Sequence, residues 1–108
     1  MILTRAVQDL VMRHIDSVIQ LEALLFLRSR PNEPWELSAI ARQLYAPETQ
    51  LSAALADLCR DGFVLQTGAS YIYAFDQPAA PHVDALANAY ARHLVALTEL
   101  IHSKHDNT

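Results

Sequence analysis

The feature that most constrains this chain is a change of hydrophobic period at Gly62. Before it, Leu51, Leu55 and Leu58 recur at helical spacing behind Pro47. After it, Phe63-Val64-Leu65 and Tyr71-Ile72-Tyr73-Ala74-Phe75 are β-rich runs on either side of Gln66-Thr67-Gly68-Ala69-Ser70. A glycine suits the position just past a helix because it adopts left-handed backbone without a Cβ clash, so the helix stops at Gly62 and a hairpin with a short, uncharged tip follows. Upstream, Leu37, Ile40, Ala41 and Leu44 mark one face of a shorter helix, followed by Tyr45-Ala46. The fixed φ of Pro47 then suits the first position of the longer one. The segment from Ser29 to Pro34 holds two prolines three apart and reads as a loop that ends at Trp35.

The flanking segments are helical as well. From Ile2 to His14, Leu3, Val7, Leu10 and Val11 share one face, with Thr4 and Asp9 on the other. Asp16 and Ser17 offer caps, and Ser17 with Gln20 has capping-box spacing for a second helix running to about Arg28. That helix leaves almost no polar stripe, as expected of a central element. Glu22 is its uncomfortable residue, placed either at an edge or opposite an arginine such as Arg42 or Arg92. Beyond a turn from Asp76 to Pro81, Val83, Ala87, Tyr90, Leu94, Leu97 and Ile101 form a heptad seam on one C-terminal helix over residues 82–104. The organisation expected is one domain over 1–108, with N-terminal helices in 1–30 and the two-helix and hairpin portion in 35–75.

Composition bounds the function. With 108 residues, 52% of them apolar and 19% charged, the chain has the make-up of one packed domain. Its lone cysteine closes no disulfide within the chain, which fits a reducing cytoplasm. The longest apolar run, Ala23 to Leu27, is too short to span a bilayer, and no signal peptide is expected from the first ten residues. No phosphate-binding glycine loop, nucleophile motif or pair of catalytic carboxylates occurs, so no enzyme and no cofactor are expected. His102 and His105 have i, i+3 spacing but lack further ligands, so no metal site is expected either.

The order of helix, short helix, turn, longer helix ending in glycine, and hairpin resembles the winged helix-turn-helix superfamily. The phrase WELSAIARQLYAPETQLSAALADLCRDGFV, residues 35–64, carries the likeness. Leu37, Ile40, Ala41 and Leu44 match the first motif helix, Pro47-Glu48-Thr49 the turn, and Leu51, Leu55, Leu58, Gly62, Phe63 and Val64 the recognition helix and wing entry. With its terminal helices the chain is similar to small transcriptional regulators of the MarR and PadR type. The resemblance implies a mostly α fold with a small β-hairpin and added terminal helices, and a homodimer held by those helices. It also implies DNA contact through the outward face of the recognition helix. Thr49, Gln50 and Ser52 would then reach bases or phosphates, Arg42 a phosphate, and the wing tip from Gly68 to Ser70 the backbone. Leu3, Val7, Leu10, Tyr90, Leu94, Leu97 and Ile101 would form the dimer interface.

Charge pulls the other way. The chain carries eight Lys and Arg against twelve Asp and Glu, a net −4. Between Pro47 and Phe75, Arg60 stands against Glu48, Asp57 and Asp61, about −2 locally. DNA binding draws most of its nonspecific affinity from basic side chains on phosphates. The alternative is therefore a winged helix that keeps its core and uses its surface to bind protein. Cys59, four residues after Leu55, is expected at the core edge rather than as a redox switch. Trp35, Tyr45, Tyr71 and Tyr73 are expected to pack in the core and wing, or as a Tyr cluster holding an apolar effector.

Overall fold

The computed structural model describes residues 3–74 and 76–106, with side chains through Lys104. Phe75, expected at the end of a strand, and the side chain of His105 lie outside the described residues. Among those described, six helices and three short strands occur: α1 (Arg5–His14), α2 (Val18–Arg28), β1 (Trp35–Glu36), α3 (Leu37–Leu44), α4 (Glu48–Arg60), β2 (Val64–Thr67), β3 (Ser70–Tyr73), α5 (Ala80–Arg92) and α6 (Leu94–Asp106). The chain is mostly helical with a small antiparallel sheet, and it forms two compact units, one of residues 1–18 with 78–108 and one of residues 19–77. No described helix is long and apolar enough to cross a membrane.

In the unit built from the chain ends, α1 packs against both α5 and α6. Thr4 starts α1, its hydroxyl accepting from the Val7 amide at 3.3 Å, and Val7, Leu10 and Val11 turn inward. The C-terminal segment departs from the single helix that heptad spacing predicts. His93, at φ −135° and ψ 47°, breaks it into α5 and α6. The chain turns there, and Lys104 near the end of α6 reaches the C-terminal end of α1. Its ammonium donates to the carbonyls of Val11 and Ile15, both at 2.7 Å, and to the Asp16 carboxylate at 2.8 Å. The Val11 carbonyl also accepts from the Ile15 amide at 3.1 Å, so the lysine adds a charged donor there and supplies one to the Ile15 carbonyl just past the helix, closing α1 from some ninety positions away.

The seam expected to face a second copy is used inside the chain instead. Leu3, Val7, Leu10, Leu97 and Ile101 are all buried, Tyr90 is half-buried, and Leu94 alone of the set is substantially exposed. A chain that folds α6 back along α1 covers this stripe itself, whereas heptad spacing read as one straight helix leaves it open.

In the other unit, α2 supplies a largely apolar element, with Leu21, Ala23, Leu24, Phe26 and Leu27 buried. Glu22 sits at a half-exposed edge, and Gln20 is the polar residue that goes inside. The sheet has strand order β1-β3-β2. Val64 pairs with Tyr73 and Thr67 with Ser70, so the hairpin loop is Gly68-Ala69 alone, shorter than the five-residue tip expected. Gly68 has φ 60°, as the first central position of a II′-type connection requires. Strand β1 was not expected: Trp35 and Glu36 pair with Tyr71 and Ser70. Two residues are too few for an alternation to register, and the pairing follows from tertiary packing of Trp35, whose ring meets Phe26 edge-on at 4.9 Å.

Candidate functional site

Helices α3 and α4 are joined by Tyr45, Ala46 and Pro47. Pro47 takes the N-cap position of α4, at ψ 135°, one residue before the place its φ predicts. Leu51, Ala54, Leu55 and Leu58 turn inward from α4, and Glu48, Thr49, Gln50, Ser52, Ala53 and Ala56 turn outward. The expected contact residues Thr49, Gln50 and Ser52 are thus brought together on one exposed helix face. Arg42 is exposed on α3. Ser70 is not at the hairpin tip but in β3, half-exposed and paired with both Thr67 and Glu36.

The electrostatics of this unit are acidic. Four arginines face seven carboxylates between residues 19 and 77. Arg28, Arg30 and Arg60 are all engaged. Arg60 donates to Asp57 at 2.9 Å and to Asp61 at 3.4 Å, and the field of Asp57, then Asp61, pushes its pKa up. Arg30 lies over the Phe26 ring at 4.1 Å and donates to the Ser29 hydroxyl at 2.8 Å, while its carbon sits 5.8 Å from the Trp35 ring. Arg30 is therefore a packing residue of the α2 end, not a hand extended toward phosphate.

Cys59 is half-buried, and burial pushes its thiol above the ordinary value. A thiol held protonated in this way is a poor redox sensor, since the thiolate is the reactive form. Trp35 is half-buried, and Tyr71 and Tyr73 are buried, as packing residues should be.

Tyr45 is the exception and the residue that sequence reasoning misplaced. It is 96% exposed, and its backbone lies in the left-handed region at φ 54° and ψ 41°. Bulky residues rarely adopt that region, because the Cβ crowds the following carbonyl. The signal available in the sequence was the absence of glycine or asparagine where α3 must stop. Leu65 on β2, 52% exposed, is the other large apolar side chain of this unit left open among the described residues. Tyr45 at the turn and the outward face of α4 thus expose an aromatic, the uncharged polar groups of Thr49, Gln50 and Ser52, and the acid Glu48, and neither α4 nor the hairpin carries an unengaged base.

No group of three or more described His, Cys, Asp or Glu residues is placed to hold a metal ion. Comparison with protein-family models, curated proteins and solved structures finds no match to this chain.

Proposed function

We propose that residues 19–77 form a winged-helix module that recognises a protein partner through the α3–α4 turn and the outward face of α4. The order of α2, β1, α3, α4 and the hairpin, with β3 central in the sheet, supports the winged-helix reading. The observation that carries the choice of partner is Tyr45, fully open to solvent in a backbone conformation that a tyrosine adopts at a cost. Nothing in the fold calls for a tyrosine there. Tyrosine is enriched among the residues that dominate protein interfaces, where one ring supplies large contact area at low entropy cost. The acidic balance and the engaged Arg60 weigh against a nucleic-acid polyanion.

The second reading is a dimeric DNA-binding transcriptional regulator. It is favoured by one observation, the clustering of Thr49, Gln50 and Ser52 on the exposed face of α4. The two readings separate in one pair of experiments. Fluorescence anisotropy with mixed-sequence duplex DNA at low salt is expected to show no binding. Steeply salt-dependent binding, weakened by Arg42→Ala and, for a specific sequence, by about 1–3 kcal/mol in Gln50→Ala, would overturn the proposal. In parallel, a partner captured by the intact chain should bind Tyr45→Ala at least about tenfold more weakly by titration calorimetry. Equal affinity would remove Tyr45 from the interface.

A further inference from the structure

Within the unit formed by the chain ends, α1 and the start of α5 border a half-open cleft of about 250 Å³. The two helices run antiparallel: Thr4 and Val7 neighbour Asn88 and Arg92, while Asp9 and Arg13 neighbour Ala79 and His82. The wall on α1 is made by Asp9 and Arg13, one helical turn apart, and by His14, which is itself engaged, with Ala6 and Leu10 as the apolar floor. His82 and Ala79 close the other side.

Three properties of this cleft go together. An acid and a base at i, i+4 on a helix face each other and commonly pair. Here, among the described residues, neither Asp9 nor Arg13 has an ion pair or side-chain hydrogen bond, and both charges are directed to the same cleft. The first turn of α5 carries no acidic residue and no side-chain cap of its own, so the carboxylate that borders the positive end of that helix in the cleft is Asp9. Leu10, which forms part of the floor, is buried and apolar.

We infer that this cleft is a binding site for a small zwitterion of the α-amino acid class. A simple anion is repelled by Asp9, and a simple cation by Arg13 and the helix end. A molecule with a carboxylate and an ammonium on one carbon satisfies both walls. Its carboxylate meets the Arg13 guanidinium, which offers paired donors, and its ammonium meets the Asp9 carboxylate. A short apolar side chain rests on Ala6 and Leu10. The cleft has room for a ligand of that size and little more.

The test is a titration of the full chain, followed by backbone amide signals, with four probes: L-leucine, N-acetyl-L-leucine, L-leucinamide and inorganic phosphate. L-leucine should give saturable shifts confined to α1 and the first turns of α5. N-acetyl-L-leucine and L-leucinamide, each lacking one charge, should bind about tenfold more weakly or less. Arg13→Gln and Asp9→Asn, both at exposed positions, should leave the fold intact by circular dichroism and weaken L-leucine binding by about tenfold. The proposal is overturned if L-leucine gives no saturable shift up to about 20 mM. It is equally overturned if phosphate or N-acetyl-L-leucine matches L-leucine, or if neither substitution changes the affinity.

Discussion

Helices α3 and α4 end in the same way with different residues. In each, a left-handed residue lets the next amide reach back five positions: Ala46 to the Ala41 carbonyl at 3.0 Å, and Phe63 to the Leu58 carbonyl at 3.0 Å. This is the outer bond of the Schellman arrangement; at α4 the Gly62 amide adds the inner one, to the Cys59 carbonyl at 3.1 Å, whereas at α3 the Tyr45 amide also goes to Ala41. At the end of α4 the left-handed residue is Gly62, at φ 85°, and the following Phe63 is buried. At the end of α3 it is Tyr45, at φ 54°, and its ring packs on almost nothing. Glycine is what folding alone selects at such a position. Gly62 thus serves the fold, whereas the exposed ring of Tyr45 adds nothing to it, which is why we assign that ring to a partner.

The end of α1 sharpens the contrast by using neither device. Ile15 is extended, at φ −111° and ψ 108°, and the closing donor is the Lys104 ammonium. The largest effect on stability is expected there. Lys104→Met keeps the apolar stem but strips the Val11 and Ile15 carbonyls of a charged donor in a site where the lysine side chain is 12% exposed. Loss of about 2–4 kcal/mol is expected, read as a lower urea midpoint at unchanged m-value. Asp16, 59% exposed, contributes little of this, so Asp16→Asn should cost under about 1 kcal/mol. A loss in Lys104→Met no larger than that of Asp16→Asn would mean that α1 ends without help from α6.

The next effect is at Gly62. A Cβ there meets nothing within 4 Å, so Gly62→Ala tests backbone conformation alone. The left-handed penalty of an L-residue, about 1–2 kcal/mol, is partly offset by the lower unfolded-state entropy of alanine. A net loss of about 1 kcal/mol by chemical denaturation is expected. A neutral result would mean that the left-handed turn at α4 accepts any residue, and Tyr45 would lose its significance as an exception.

These three helix ends also show how far sequence alone could reach. The end of α4 was legible because its signals are local: a glycine, then a shift to β-rich residues within the span of one turn. The start of α4 at Pro47 and the hairpin were legible for the same reason, each to within a residue or two. Strand β1 was not, since Trp35 and Glu36 pair only because Tyr71 and Ser70 are brought beside them. Nor were the break at His93 and the closure by Lys104, which carry no glycine or proline and depend on contacts some ninety positions apart. The exposed face of Thr49, Gln50 and Ser52 followed from helical period, but the exposure of Tyr45 did not. Composition treats an aromatic as core, and only the turn geometry places this one outside.

Tyr45 carries the two smallest stability effects and the most informative ones. Tyr45→Gly exchanges a strained residue for the one that α4 uses, and the relieved backbone outweighs the entropy glycine adds to the unfolded chain. A gain of about 0.5–1 kcal/mol is expected. Tyr45→Ala keeps the left-handed penalty and removes only a ring that is 96% exposed, so its stability should stay within about 0.3 kcal/mol of the original. Binding of a protein partner should fall alike in both variants, because both lack the ring. Stability and binding would then move independently at one position, rising in one variant, flat in the other, with recognition lost in each. Should Tyr45→Ala instead unfold the chain at markedly lower denaturant, the ring has a packing role inside the fold, and the contrast between the ends of α3 and α4 no longer points to a partner.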